Sequence, residues 1–173
     1  MCGRVTPPSC YTQDTKKVMI VVDLMNLEDQ LDLDFTVARR RARLGRLKAR
    51  LLRQRTRNTL LSPEELRRGI PASGRMYRGR RTVEVSRIVG SVGKHEQFDQ
   101  NFMPLPKASA EKWKRIDKAF RLGQELPPVS LLGLGGKYFV SDGHHRVSVA
   151  RFHGVEWIEA EVTESKSLNT RVA

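Results

Sequence analysis

Hydrophobic positions along this chain follow two different periods, and the change of period divides the chain into two parts. In the first part, Leu44, Leu47 and Leu51 fall at i, i+3 and i+7, which is typical of one stripe on an amphipathic helix. From Val83 onward, short apolar or alternating segments are bounded by glycine and proline, which is typical of strands. The pattern therefore predicts a helical extension followed by a compact domain.

The compact domain is predicted to contain four strands and two helices. Ser109 is a good N-cap for the first helix, and Gly123 is a good terminator. Gly135-Gly136 is typical of a two-residue hairpin turn. The order β–loop–α–β–β–α–β predicts an α+β fold. The predicted elements are a strand at 83–89, a loop at 90–106, a helix at 110–122, strands at 129–134 and 138–141, a short helix ended by Gly154, and a strand at 155–162.

The chain as a whole is predicted to divide into five segments. Within the second of them, Ser62 and Pro63 favour the start of a further short helix that Gly69 would end. The third segment is rich in glycine and arginine, which favours a linker. The segments are a disordered leader at 1–26, a basic helical extension at 27–69, a linker at 70–81, the compact domain at 82–165, and a disordered tail at 166–173.

Positive charge is concentrated in the first half of the chain. Residues 1–90 hold 20 Lys and Arg against 9 Asp and Glu, whereas the remaining residues hold 12 against 10. A localised basic segment favours polyanionic partners, so we expect nucleic acid to bind the basic helix. Two alternatives remain open: the arginines form a solvated face on a helix that packs through its leucines, or the leucines pair two copies in a homodimer. The predicted nucleic-acid-binding residues are Arg39, Arg40, Arg41, Arg43, Arg46, Lys48, Arg50 and Arg53.

The cysteines and the apolar run near the start of the chain indicate which kinds of site and which cell compartment to expect. Cys2 and Cys10 are the only cysteines, and their spacing with no nearby histidine indicates neither a disulfide framework nor a metal site. The apolar run from Val18 to Val22 is too short for a signal peptide or a membrane span. We expect a cytoplasmic protein with no membrane partner.

The segment Asp142-Gly143-His144-His145-Arg146 joins a predicted strand to a predicted helix. The first N–H groups of a helix lack internal partners and carry partial positive charge, so such a junction favours an anion. His145 and Arg146 would add side-chain donors, and Arg can bind phosphate in a bidentate manner. The alternative is an ordinary turn with capping residues. The predicted phosphate-binding residues are Ser141, Asp142, Gly143, His144, His145 and Arg146, with Gly90, Ser91 and Gly93 in the loop after the first strand.

A resemblance to a known family supports the prediction of a phosphate-binding site. The run Gly-Gly-Lys-Tyr-Phe-Val-Ser-Asp-Gly-His-His-Arg-Val-Ser-Val-Ala-Arg, with Leu126-Pro127-Pro128-Val129 before it and 83–93 upstream, resembles the ParB/sulfiredoxin-like superfamily. The resemblance covers about residues 82–163, nearly half of the chain. In detail it is most similar to small ParB-like domain proteins of actinobacteria with a basic N-terminal helix. That resemblance implies an α+β domain that binds a nucleoside triphosphate, ATP or CTP, with Mg²⁺.

The departures from the superfamily pattern limit what can be carried over. Sulfiredoxins have a nucleophilic Cys where this chain has His144, and ParB proteins have a Glu there that supports CTP hydrolysis. The resemblance therefore implies a nucleotide-binding, DNA-associated regulatory or partition-like factor. A first alternative is an ATP-dependent small-molecule kinase similar to free-serine kinases, with Glu96 as its general base. A second alternative is a non-catalytic interaction module.

Overall fold

The computed structural model describes residues 13–51, 60–66 and 73–166. Within these ranges the chain forms a five-stranded mixed sheet with the strand order β1-β5-β3-β4-β2. The predicted α+β class is confirmed, and so is the order of the two helices and the last three strands. The elements are α1 Gln13–Leu51, α2 Pro63–Leu66, β1 Ser73–Glu84, a 3₁₀ turn Val85–Arg87, β2 Ile88–Ser91, α3 Ala110–Arg121, β3 Val129–Leu134, β4 Lys137–Asp142, α4 His144–Phe152 and β5 Trp157–Lys166.

The bounds of the strand predicted at 83–89 are wrong. Residues 83–89 contain the end of β1, the 3₁₀ turn and the start of β2. β1 pairs antiparallel with β5 along almost its full length, and β2 pairs parallel with β4 at the opposite side of the sheet. Residues 73–81, predicted to be a linker, are therefore the greater part of an edge strand. The linker was predicted because this segment is rich in glycine and arginine. The structure accommodates the charge within a strand, because Arg78 pairs with Glu164 on β5 at 2.8 Å.

The basic helix is longer than predicted and packs through a different face. α1 already includes residues 13–26, which were predicted to be a disordered leader, and it ends at Leu51. The face that packs on the domain consists of Leu31, Phe35, Ala38 and Ala42, which are at most 8% exposed. The leucine stripe found in the sequence lies on the other side of the helix. The leucine stripe therefore does not pack on the domain, which was one of the arrangements that the sequence allows.

Ion pairs attach the first half of this helix to α3. Glu28 pairs with Lys118, Asp32 with Lys114, and Asp34 with Arg121. Because these acids are neutralised within the chain, the uncompensated charge of α1 lies in its second half.

Among the described residues, one group of three potential metal ligands lies close together: Asp34, Asp117 and His153. His153 Nε2 is 2.6 Å from Asp117 Oδ1. Arg121 pairs with Asp34 and lies 3.7 Å from Asp117 Oδ2, so a guanidinium already balances both carboxylates. We therefore describe this group as an ion-pair network that joins α1, α3 and the end of α4.

The long loop after β2 is built around a buried acid. Asp99 accepts hydrogen bonds from the backbone N–H groups of Asn101 and Met103 at 2.9 and 2.8 Å, and burial raises its pKa. Phe98 and Phe102 are fully buried, and Phe102 has a φ of 59°. The loop is thus folded on its own aromatic residues, which holds the segment before Ser109 against the core.

The helix and hairpin signals of the sequence are confirmed. The Ser109 hydroxyl accepts from Lys112 N and begins α3, while Gly135 and Gly136 have the positive φ angles that a tight hairpin turn requires. Trp113 is fully buried and donates to Ser148 Oγ at 2.9 Å, as expected for a core position. Phe120, two turns further along the same helix, is 37% exposed.

Candidate functional site

The turn between β4 and α4 has the geometry that the sequence predicts. Gly143 occupies the N-cap position with a φ of 92°, and a Cβ there would lie 2.7 Å from Val129 Cγ1. Both the backbone angle and the space therefore require glycine. No side chain among the described residues caps α4, so its first N–H groups are open to a ligand.

His144 is a buried residue that holds two elements together. Its Nε2 lies 2.7 Å from Ser91 Oγ, which also accepts from the N–H groups of Gly93 and Lys94. The Ser91 hydroxyl must then donate to His144, so the imidazole proton is on Nδ1. That nitrogen is buried and forms no well-aligned hydrogen bond. Burial, with the charge of Lys94, lowers the pKa of His144 to about 4.

His145 is also neutral and lies beside a cluster of cations. Its ring meets Phe98 edge to face with the centroids 5.2 Å apart, and its buried Nε2 has no hydrogen-bond partner among the described residues. Burial and, after it, the charges of Lys94, Lys112 and Arg115 together lower its pKa to about 4. Every charged group that acts on this histidine is positive.

These three cations are candidate site residues that the sequence analysis missed. Lys94 follows directly on the predicted loop residues, and its neighbour Gly93 was a usable signal. Lys112 and Arg115 are exposed on α3, where only the tertiary structure brings them near α4. None of the three forms an ion pair within the described ranges of the chain. We refer to Lys94, Lys112 and Arg115 as the cation cluster.

Arg146 is engaged within the chain. Its Nη1 donates to the carbonyls of Pro127 and Pro128, the latter at 2.7 Å, and its Nη2 donates to Asp142 Oδ2 at 2.7 Å. The guanidinium therefore joins the Pro127-Pro128 segment to the turn. A bidentate phosphate contact through Arg146 would require these bonds to break.

The predicted phosphate-binding residues with small side chains differ in how much space they leave for a ligand. Ser141 is exposed and donates to the Ser130 carbonyl at 3.0 Å. Gly93 has open space where a side chain would be, as close approach of a ligand requires. Gly90 does not, because a Cβ there would lie 2.2 Å from the Leu61 carbonyl oxygen. Its lack of a side chain serves packing against Leu61 and leaves no opening for phosphate.

Glu96, the predicted general base, is a surface residue. It pairs with Lys107, and its carboxylate is 73% exposed. The hydrogen bond from Lys107, and then its charge, lower the pKa of Glu96. A general base at neutral pH needs the opposite shift, so the geometry does not support this role.

The basic residues of α1 divide between internal contacts and solvent. Arg41 lies over the Phe152 ring at 4.7 Å and donates to the Phe152 carbonyl, and Arg39 lies over Phe35 at 5.9 Å. Arg53 is outside the described residues. The exposed cations of this helix are Arg40, Arg41, Arg43, Arg46, Lys48 and Arg50. No helix within the described ranges is long and apolar enough to cross a membrane.

Comparison with known proteins gives similarity at the level of structure. No protein-family model matches this sequence, and no curated protein is detectably similar to it. The structure is similar to sulfiredoxin from Arabidopsis thaliana, with 14% identity and a TM-score of 0.38 over 48% of this chain and 82% of that chain. It is also similar to a Pnob8-like ParB-N domain, with 13% identity and a TM-score of 0.36 over 53% of this chain and 32% of that chain. At these identities and TM-scores the similarity transfers no ligand, activity or family membership to this chain.

Proposed function

We propose that this chain binds a nucleoside triphosphate through its phosphates at the start of α4, and that it acts as a nucleotide-dependent factor associated with nucleic acid. The observation that carries the proposal is the cation cluster beside an uncapped helix N-terminus. Helix N–H groups and unpaired Lys and Arg side chains bind the same class of ligand, a multiply charged anion.

Buried polar atoms without partners support the same site. Among the described residues, five side chains have a buried polar atom with no well-aligned hydrogen bond. Three of these are His95, His144 and His145, of which His144 still interacts with the backbone of Val140. Burying such groups costs free energy unless a ligand or water satisfies them. His144 and His145 lie in the first turn of α4, and His95 follows Lys94 in the loop after β2, so we take these atoms as support for a bound polar ligand.

The neutral histidines fit a phosphate ligand by hydrogen bonding. Because burial holds the pKa of His145 at about 4, its ring adds no charge at pH 7 and can supply one N–H donor. The charge must come from Lys94, Lys112 and Arg115. Mg²⁺ would be held mainly by phosphate oxygens, with Asp142 as the carboxylate at the turn.

The nucleotide proposal is tested by thermal unfolding of the full chain with ATP, CTP and GTP, each with and without Mg²⁺. A ligand at one hundred times its Kd stabilises the folded state by about 2.7 kcal/mol, which is several degrees in Tm. We expect Lys94→Ala to remove the shift, whereas Lys137→Ala, at the exposed hairpin turn, should keep it. The loss of the shift in both variants, or in neither, would contradict the assignment of this site.

Nucleic-acid binding is proposed for the basic half of α1. Six cations and no acids lie between residues 40 and 51, so binding should weaken steeply with salt through counterion release. We expect Arg43→Ala/Arg46→Ala/Arg50→Ala to lower affinity for a labelled duplex by about tenfold or more and to reduce the salt slope by about two to three. Arg75→Ala/Arg80→Ala/Arg81→Ala on β1 removes equal charge and is the control. Equal losses in both variants would mean that charge alone, and not α1, determines binding.

A further inference from the structure

The surface of the compact domain has an apolar groove around Trp157. Two cavities of about 560 and 300 Å³ adjoin there and share Val155 and Trp157 in their walls. Trp157 is 57% exposed, and Phe120 on the wall of the smaller cavity is 37% exposed. Exposed aromatic rings beside a cavity are typical of surfaces that bind a partner. We call this surface the Trp157 groove.

The rim of the Trp157 groove is acidic, although the chain has a net charge of +13. Glu84 is the direct cross-strand partner of Trp157 in the β1–β5 pair. Arg151 lines the larger cavity and Arg146 the smaller one. Both are engaged within the chain, Arg151 with the carbonyls of Val85 and Ile88 and Arg146 with Pro127, Pro128 and Asp142. The glutamates lining the two cavities are Glu84, Glu125, Glu156 and Glu159.

A complementary surface lies on the second half of α1. Leu44, Leu47 and Leu51 are 49, 53 and 83% exposed, although they form one stripe. At 100° per residue this stripe points away from the buried face of the helix. Residues 40–51 include six Lys and Arg and no acid, so the three leucines are flanked by positively charged side chains. We call Leu44, Leu47 and Leu51 the leucine stripe.

We propose that the leucine stripe of one copy docks in the Trp157 groove of a second copy, in a reciprocal symmetric dimer. The segment 40–51 is about 18 Å long as a helix, and an amphipathic helix in an apolar groove is a common mode of recognition. Leucine side chains would cover Trp157 and Phe120. The flanking arginines would face the glutamates of the rim, and this charge complementarity identifies the occupant as a basic helix.

The positions of the two surfaces favour a second copy of this chain. Arg41 donates to the carbonyl of Phe152, and Gly154, two residues further, lines the larger cavity. The helix that carries the leucine stripe therefore passes close to the larger cavity. Within one chain they do not meet, because ion pairs with α3 fix the helix and leave the leucines exposed. A two-fold axis between two complementary patches makes both contacts at once.

The proposal is tested by sedimentation velocity of the full chain over a wide concentration range. We expect a concentration-dependent dimer that Leu47→Glu and Trp157→Ser each weaken by on the order of a hundredfold, since a symmetric dimer contains each change twice. Leu33→Glu and Tyr77→Ser are the matched controls. Leu33 is 60% exposed on the acidic half of α1, and Tyr77 is 63% exposed on β1, so both controls should dimerise as the wild type does.

Mixing the two weakened variants separates this arrangement from other dimers. A chain with Leu47→Glu keeps its groove, and a chain with Trp157→Ser keeps its leucine stripe, so a mixed pair retains one intact contact. We expect the mixture to associate more tightly than either variant alone. A mixture no tighter than the separate variants would exclude reciprocal docking.

Tryptophan fluorescence gives an independent measurement. The chain has two tryptophans, and Trp113 is fully buried, so a change in solvent exposure on association reports Trp157. We expect emission to shift to shorter wavelength as the dimer forms. The proposal is overturned by a chain that stays monomeric throughout, or by a dimer that Trp157→Ser leaves intact. A dimer that Leu33→Glu and Leu47→Glu weaken equally would overturn it in favour of helix-to-helix pairing of α1.

Discussion

Ser91 Oγ lies 2.7 Å from His144 Nε2, and this bond joins the end of β2 to the first turn of α4. Both side chains are almost completely buried, and the serine also accepts from two backbone N–H groups of the loop that carries Lys94. The pair therefore positions that loop beside the start of α4. The cation cluster depends on this arrangement.

Removing the Ser91 hydroxyl should destabilise the protein and disturb the candidate site. Ser91→Ala leaves His144 Nε2 and two backbone N–H groups without their partner, which we expect to cost about 1–3 kcal/mol in the free energy of unfolding. Urea unfolding measures the loss. Ser86→Ala removes an exposed serine that bonds only Glu84 and should change stability by less than about 0.5 kcal/mol. Equal effects of the two changes would contradict a special role for Ser91.

Stability should depend on pH through the two buried histidines. The pKa of His144 and of His145 is about 4 in the folded protein, against 6.5 in an unfolded chain. Above pH 6.5 both states are neutral at these residues, and the full stability is present. Between pH 6.5 and 4 only the unfolded chain takes up protons, so the free energy of unfolding falls as pH falls, by up to about 1.4 kcal/mol per pH unit for each histidine.

Urea unfolding at several pH values, with His145→Gln as the variant, checks this dependence. We expect the variant to show a shallower decline between pH 6.5 and 4, because one proton-binding group is removed from the unfolded state. Asp99 and Asp117, whose pKa values burial raises, act in the opposite direction in both proteins. The difference between the two proteins therefore reports the histidine. Parallel pH profiles would mean that His145 is protonated in the folded state.

Gly90 and Gly93 should respond very differently to the same substitution. A Cβ at Gly90 would lie 2.2 Å from the Leu61 carbonyl oxygen and 2.7 Å from the Phe139 ring, whereas nothing lies within 4 Å at Gly93. We expect Gly90→Ala to lower the free energy of unfolding by about 3 kcal/mol or more, as overpacking of a fixed core does. Gly93→Ala should change it by less than about 1 kcal/mol. A well-tolerated Gly90→Ala would show that the Leu61 segment moves freely.

Arg146 should contribute to stability even when no nucleotide is present. Arg146→Lys keeps the charge but cannot reach Pro127, Pro128 and Asp142 together, because lysine lacks the planar fork. We expect a loss of about 1–3 kcal/mol in thermal unfolding without ligand. Arg87→Lys is the control, since Arg87 is exposed, donates to a single carbonyl, that of Gly136, and otherwise only lies over the Tyr138 ring at 5.6 Å. If Arg146→Lys changes only nucleotide affinity, the phosphate role predicted from the sequence is the correct one.

Nucleic acid and self-association should compete, because both proposals use the basic half of α1. Arginines that face the glutamate rim in the dimer are not free for phosphates. We expect a short duplex oligonucleotide to convert the dimer to oligonucleotide-bound monomer, which sedimentation of a labelled duplex detects. A stable complex of one duplex with an intact dimer would contradict competition.

Local sequence signals predicted the elements that local forces determine. Ser109 caps α3, Gly135-Gly136 turns the hairpin, and Gly143 begins α4, because capping and positive φ angles depend on a few neighbouring atoms. The strand-to-helix junction before α4 could be predicted for the same reason. The order of elements from α3 to β5, and with it the α+β class, followed from these signals.

Only the tertiary structure decided which of several chemically similar residues are buried, which are exposed and which have a charged partner. Residues 73–81 were predicted to be a linker because the partners of this edge strand, such as Glu164 for Arg78, lie on β5, about eighty residues later in the chain. Leu31 and Leu44 have the same chemistry, yet Leu31 is buried and Leu44 is 49% exposed, because α1 packs on the domain through the face that carries Leu31, Phe35, Ala38 and Ala42. The cation cluster likewise needs α3 packed beside α4. Sequence by itself determined the turn that could hold a phosphate, whereas packing determined which charges lie around it, because Coulomb interactions depend on distance in space and not on separation along the chain.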